Sequence, residues 1–384
     1  MHRSPAAPRL TLRAACLLLC LLFSVPAFAL DASRLHAQLD ALRASAHAPG
    51  ATAAVMVGGE LVYSGGVGVA DAENAVPATG DSVHNIASIS KVVAVIAVMQ
   101  LVEQGRIDLD AEIQTYAPWF PRKQAPITVR QILTHTSGIR HYRDGEFGEG
   151  EVLRFQQFDS IEAASRRWME EPLLSDPGTH WHYSTFATNL LQSAIEQASG
   201  QEMEAYMRDH IWMPAAMTDS QFDVPARIIP RRARGYEWDA ARGVLQNAVQ
   251  ENVSYKYVGG GILASDVDMV RMGHALNSGR LLGGVAIAEM YRPQLDASVS
   301  LLPPPAGQAA SRAGVPVQGL IWRQQQDAAG RTYYAHSGSV KGTLSYLANW
   351  PDADVVVALH VNARGGGADL RAAAETLAAE VLPR

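Results

Sequence analysis

The stretch His84–Gly105, HNIASISKVVAVIAVMQLVEQG, sets one lysine at the mouth of the oiliest segment of the chain. From Val92 to Met99 every residue is apolar, so the segment from Ser88 to a terminating Gly105 reads as a helix buried on all sides. The chain has only four lysines, Lys91, Lys123, Lys256 and Lys341. A lysine placed like Lys91 is either a stem that snorkels to the surface or an amine kept dry, and burial favours the neutral form. Ser88 lies three residues earlier on the same helical face, within reach of that amine. At a helix N-terminus it also meets free N–H groups and the positive end of the dipole, which favour a developing oxyanion. A serine with a neutral amine beside it is an activated nucleophile. The competing reading makes Ser88 an N-cap and Lys91 a stem.

Outward from this helix, the chain alternates between two kinds of pattern. Leu35, Leu39 and Leu42 fall on one face of an amphipathic helix at about residues 31–46. The next segment, ATAAVMVGGELVYSGGVGVAD, reads as two strands joined at Gly58-Gly59. The middle of the chain reads as helices and loops, with SIEAASRRWMEE, TNLLQSAIEQASG, EMEAYMRDHIW and ASDVDMVRMGHALNSG as helical pieces. Ser265 and Asp268 have the spacing of a capping box at the last of these. Leu301–Val317, with three consecutive prolines, reads as a flexible connection. Strand patterns return in LIWRQQQ, RTYYAHSG, GTLSYLANW and DVVVALHVNA, followed by the helix ADLRAAAETLAAEVL. The expectation is an α/β fold: residues 30–107 and 300–384 build one sheet from both ends of the chain, and residues 108–299 form a mostly helical insertion. The cleft between them has Ser88 at its floor.

Residues 1–29 have the pattern of an export leader: a basic start, the apolar run AACLLLCLLFSVP, and Ala27-Phe28-Ala29 as a cleavage signal. The apolar run is shorter than the ~20 residues of a spanning helix, so contact with a membrane is expected only through an uncleaved leader. Cleavage after Ala29 would place the protein in a periplasm or the medium. It would remove both cysteines, Cys16 and Cys20, and with them any disulfide or thiol nucleophile. It would also remove Arg3, Arg9 and Arg13, taking the formal charge from −6 to −9. With 18% charged residues, a negative balance and no long basic run, nucleic-acid binding is not expected.

Two later segments bear on Ser88 and Lys91. WHYSTFATNLLQ places Tyr183 in a turn before a helix, and YAHSGSVKG ends a strand in a glycine-rich corner. With SISK, YST and HSG in this order, the chain resembles the penicillin-binding-protein and class C β-lactamase superfamily of serine hydrolases. QILTHTSGI at residues 131–139 resembles a further segment of its relatives. The resemblance implies a β-lactamase/transpeptidase-like fold and acyl transfer through an acyl-enzyme, without metal or organic cofactor. In that reading Ser88 is acylated, Lys91 accepts its proton and Tyr183 is the second member of the relay. His336 contacts substrate or the relay. The backbone N–H groups of Ser88 and Ser339 form the oxyanion hole. Thr185, Ser337, Gly338 and Tyr255 contact substrate, with Gly338 letting it lie against the strand.

Two departures from the family pattern matter. Thr185 stands where class C enzymes usually carry asparagine, and His336-Ser337-Gly338 replaces Lys-Thr-Gly. Both turn the expectation from efficient β-lactam hydrolysis towards the esterase, peptidase and mitochondrial β-lactamase-like branches. The substrate is then a small molecule or peptide: an amide, a D-amino-acid derivative or an ester. A β-lactamase or D-alanyl-D-alanine carboxypeptidase proper, and a non-catalytic binding protein on the same fold, remain the alternatives. A Gly-x-Ser-x-Gly elbow is absent. His180, His182 and His135 lack an accompanying acidic cluster, so no metal site is expected. His135 is expected to hydrogen-bond backbone in its loop.

Overall fold

The computed structural model describes His2 and residues 31–143, 146, 155–302 and 313–383. Apart from His2, the expected leader lies outside the described residues, as do residues 303–312 of the Leu301–Val317 connection.

Helix α1 (Ala32–Ser45) starts where the Asp31 side chain accepts the N–H groups of Ser33 and Arg34, and it buries Leu35, Leu39 and Leu42. Strands β1 (Gly50–Val57) and β2 (Glu60–Asp71) form the expected hairpin over Gly58 and Gly59, whose φ of 56° and 84° suits glycine. A short β3 (Val76–Pro77) follows, then β4 (His84–Asn85) and the buried helix α2 (Ser90–Glu103). Helix α3 (Thr185–Ser199) begins at Ser184, whose side chain accepts the Ala187 N–H, and stops at Gly200 with φ 70°. Next come β5 (Gln221–Phe222), β6 (Ile262–Ala264) and α4 (Asp266–Asn277). The chain ends in β7 (Arg323–Gln326), β8 (Thr332–Val340), β9 (Thr343–Trp350), β10 (Val355–Val361) and α5 (Leu370–Ala379).

One seven-stranded antiparallel sheet runs β7-β8-β9-β10-β1-β2-β3, so its centre is the pairing of β10 with β1, from opposite ends of the chain. Alternation sorts β1 between two cores. Ala53 and Val55 pack with α1 and α5, while Ala54 and Met56 pack with α2 and α4. From Ser90 to Met99 every residue of α2 is buried, as its lack of a polar face requires. Helix α4, although it falls within residues 108–299, lies on β1 and β10. A small sheet, β4-β6-β5, fastens the approach to α2 against the middle of the chain. Among the described residues no helix is long and apolar enough to cross a membrane.

The local reading misses in four places. Of SIEAASRRWMEE only Ile161–Ser165 is helical. The LIWRQQQ strand starts at Arg323 rather than Leu320, because Ile321 adopts φ 66° and donates its N–H to Leu133 O at 2.8 Å. Tyr236–Asp239 and Val244–Asn247 form a hairpin in the stretch read as helical; the second strand is exposed throughout and carries no burial pattern. At α4 only half of the capping box forms. Ser265 Oγ accepts the Asp268 N–H at 3.2 Å, but the Asp268 carboxylate accepts from Asp219 N–H and Ser220 Oγ instead.

Candidate active site

Ser88 sits in a single 3₁₀ turn, Ala87–Ile89, that opens onto α2. The residue before it, Ala87, has φ 49°, a left-handed conformation that costs an L-residue about 1–2 kcal/mol. Surrounding bonds hold the turn in place. Ala87 N–H donates to Asn85 Oδ1 at 2.8 Å, Ile86 N–H donates to Ile262 O at 3.0 Å, and Ser345 Oγ donates to Ile86 O at 3.0 Å. Gly338 of β8 presses on the same turn: a Cβ there would lie 2.1 Å from Ser345 Oγ and 2.4 Å from Ile86 O. Gly338 is buried and off the cleft wall, and its lack of a side chain lets β8 lie against the turn that carries Ser88.

Lys91 is fully buried in the first turn of α2. Its Nζ donates to Ser88 Oγ at 3.2 Å and to Gly259 O. Loss of hydration pushes the amine below the usual lysine range, against the attraction of Tyr183, and Lys256 and Arg323 push it the same way. The Tyr183 ring centroid is 5.1 Å from Lys91 Nζ. Burial alone would raise the Tyr183 phenol, but the charge of Lys91 and hydrogen bonds from Lys91 and Ser88, with the charge of Arg323, outweigh it and hold it below its ordinary value. Ser88 and Lys91 thus share one electrostatic environment with Tyr183, which is distant from them in sequence.

Two histidines support Tyr183. The His135 ring lies 4.5 Å from it, and its Nδ1 accepts the Ser184 N–H at 3.3 Å, the backbone role expected for this residue. His141 meets the same ring edge-on at 5.4 Å, and its Nδ1 accepts the Thr185 N–H at 3.1 Å. Burial pushes His141 down to about 3, with Lys91 adding to the effect, so it is a neutral acceptor that fixes the start of α3.

Ser88, Tyr183 and His141 line a cleft of about 420 Å³ together with Thr185, Gly259, Gly260, His336, Ser337 and Ser339, while Lys91 and His135 are buried outside its lining. His336 is buried, and its Nδ1–H donates to Ser337 O at 2.7 Å, leaving the Nε2 lone pair without a hydrogen-bond partner. Burial holds His336 neutral, well below the usual imidazole range, and Arg323 and Lys91 reinforce this. Strand β7 begins at Arg323, opposite Ala335, so β8 from His336 onward is paired by β9 alone among the described strands. Tyr255 departs from its expected place. It is buried outside the cleft wall, with its hydroxyl on Glu251.

The neighbour of Tyr255, Lys256, lines the cleft instead and forms a buried pair with Glu251 at 3.2 Å. Arg364 is paired with Glu237 at 3.3 Å. Arg323 is the third lining cation, and it contacts no carboxylate among the described residues. Its guanidinium lies 5.9 Å from the Tyr183 ring centroid, and its Nε is buried without a hydrogen-bond partner. Sequence reading passed over Arg323 and Lys256; the only hint was that each sits within one or two residues of a segment already singled out. Among the described residues no aspartate or glutamate lines the cleft. Among the described residues no group of three or more metal-type side chains is placed to hold an ion.

A family profile described as Beta-lactamase matches residues 35–381. The mitochondrial serine beta-lactamase-like protein LACTB of Homo sapiens is 29% identical over 300 residues, covering 62% of this chain and 54% of that protein. Esterase EstB of Burkholderia gladioli is 32% identical over 212 residues, 51% of this chain and 54% of EstB. The chain thus spans little more than half the length of these curated relatives. Among solved structures, the octameric penicillin-binding protein homologue from Pyrococcus abyssi superposes with a TM-score of 0.73 at 25% identity, over 91% of this chain and 77% of that one. The likeness read from SISK, YST and HSG therefore extends over nearly all the described residues, and the chain belongs to the Beta-lactamase family.

Proposed function

We propose that the protein is a serine hydrolase that cleaves esters or amides through an acyl-enzyme on Ser88. The observation that carries this reading is the fully buried Lys91 amine 3.2 Å from Ser88 Oγ. As Ser88 Oγ attacks the substrate carbonyl, its proton passes to Lys91 or through it to Tyr183. The oxyanion collects at the backbone N–H groups of Ser88 and Ser339. Its collapse expels the alcohol or amine, which takes the proton back from the Lys91–Tyr183 pair, and water then releases the acyl group by the reverse sequence. Thr185, Ser337 and the neutral His336 supply hydrogen bonds along the wall. Arg323, which has no carboxylate contact among the described residues, favours substrates with an anionic group near the scissile bond. The esterase named among the relatives supports esters or activated amides as first substrates.

The test is labelling of the purified protein with a fluorophosphonate and a fluorescent penicillin, alongside Ser88→Ala. Ser88-dependent labelling with turnover of nitrophenyl esters is the expected result. Absence of label from both reagents would remove the reading, and rapid turnover of a chromogenic cephalosporin would replace it with a β-lactamase. Export with cleavage after Ala29 is part of the proposal, and N-terminal sequencing of the mature protein checks it.

A further inference from the structure

Ser88 is aimed by the residue before it. The peptide between Ala87 and Ser88 carries the Ser88 N–H, so the left-handed φ of 49° at Ala87 sets both that donor and the start of the Ser88 side chain. Relaxed to the right-handed or extended region, this peptide would rotate and carry Oγ away from Lys91 Nζ. Something must hold an alanine where glycine is the usual occupant.

Two side chains reach the strained unit directly: Ser345 Oγ donates to Ile86 O, and Asn85 meets the Ala87 N–H. Asn85, on β4, accepts the Ala87 N–H on Oδ1 at 2.8 Å and donates from Nδ2 to Asp223 Oδ2 at 3.3 Å. Its two partners, an N–H donor on one side and a carboxylate on the other, fix the orientation of the amide. Asp223 is buried just beyond β5 and is itself anchored twice. Its Oδ1 accepts from Arg232 Nη2 at 2.7 Å, and its N–H donates to Gly261 O at 2.9 Å. Arg232 in turn is bridged to Val83, one residue before β4. The chain Arg232–Asp223–Asn85–Ala87 is therefore closed through backbone at both ends. Asn85 is absent from the lining of the catalytic cleft; it faces a neighbouring cavity of about 550 Å³ shared with Asp223 and Arg232.

We propose that Asn85 is a positioning residue for Ser88: anchored by Asp223 and Arg232, its amide latches the left-handed Ala87 peptide and so aims the nucleophile at Lys91. The proposal rests on Ser88 being the nucleophile. Asparagine suits the task because it offers an acceptor to Ala87 and a donor to Asp223 at once; aspartate would set two carboxylates face to face, and alanine would leave both partners unmet.

The experiment measures the second-order rate of fluorophosphonate labelling, with kcat and KM on a nitrophenyl ester, for Asn85→Ala, Asn85→Asp and the exchange Asn85→Asp/Asp223→Asn. Both single variants are expected to label at least tenfold more slowly, through kcat with KM little changed. The exchange restores acceptor and donor with their positions swapped and is expected to return to within about threefold of wild type. A further pair isolates the strain: Ala87→Gly added to Asn85→Ala should recover most of the lost rate, since glycine holds a left-handed φ without a latch. Wild-type rates in the single variants would overturn the proposal. So would a loss confined to KM, or losses that neither the exchange nor the glycine relieves. If Asn85→Ala does not fold, the exchange compared with Asn85→Asp decides alone. A wild-type protein with no Ser88-dependent label would instead be a failure of the proposed hydrolase function.

Discussion

Lys91 Nζ donates to Ser88 Oγ at 3.2 Å while its other anchor is the carbonyl of Gly259, so the buried amine is fixed beside a cleft that no carboxylate lines among the described residues. Nothing there stabilises a permanent ammonium ion as strongly as burial opposes it. Replacing Lys91 with methionine keeps the bulk and removes the proposed proton acceptor. Ester turnover and fluorophosphonate labelling by Lys91→Met are expected to fall by about 10²–10⁴-fold, the usual contribution of a placed general base. A fall of less than threefold would assign the base to another group.

The same burial makes a stability prediction of opposite sign. Because the folded protein holds Lys91 below its unfolded value, the unfolded chain binds this proton more tightly. Its contribution to stability is therefore complete only above the unfolded lysine range and is lost as pH falls through the depressed folded value. Lys91→Met should thus be more stable than wild type at pH 7, by an amount on the order of 1 kcal/mol. The gap should narrow as pH rises towards about 10. Chemical denaturation at several pH values checks both the sign and the trend.

Lys91 and Tyr183 are both held below their ordinary values, so they titrate as a coupled pair. The rate kcat/KM is expected to rise with pH as the pair loses a proton, and to level off below the range of a free lysine or tyrosine. Tyr183→Phe should lower the plateau, and a pH–rate profile of both proteins separates this from a binding defect.

How much of this was legible beforehand depends on the kind of signal. Buried α2 and the flanking strands follow from the runs Val92–Met99 and Val355–Val361, whose burial leaves no other reading. Ser88, Lys91, Tyr183 and His336 stood out because their residue types and order are unusual together, and the structure brings Ser88, Tyr183 and His336 to one cleft with the buried Lys91 against the first two. Gly338 was recognised, but its reason was hidden: the Ile86 carbonyl it touches comes from a segment about 250 residues away. Tyr255 and Lys256 are adjacent, and only the register of their loop decides which faces the cleft. Ala87 and Asn85 carry no sequence signal, since positive φ at an alanine is imposed by tertiary contacts.

Gly338→Ala tests the contact between β8 and the turn that carries Ser88. The added Cβ would fall within 2.4 Å of the Ile86 carbonyl, which Ser345 Oγ also binds. Either β8 or the turn must shift. The variant is expected to lose about 1–3 kcal/mol of stability, as overpacked sites do, and to label with fluorophosphonate at least tenfold more slowly. Thermal melts and labelling rates read the two effects separately. Unchanged labelling in a folded variant would show that Ser88 tolerates movement of the strand.

Arg323 tests the charge of the cleft. It is the lining cation without a carboxylate contact among the described residues, and it helps hold Lys91, Tyr183 and His336 below their ordinary values. A charge-assisted hydrogen bond is worth about 1.5–3 kcal/mol, which corresponds to roughly 10–100-fold in kcat/KM. Arg323→Ala is expected to lose that factor on a substrate with a free carboxylate beside the scissile bond, and less than threefold on its neutral methyl ester. Removing the guanidinium also removes a cation that favours deprotonation of the Lys91–Tyr183 pair, so the rising limb of the pH–rate profile should move to higher pH. Equal losses on both substrates with an unmoved limb would show that Arg323 only packs against Tyr183. Selective loss with a shifted limb would mark it as the residue that sets the preference for an anionic substrate.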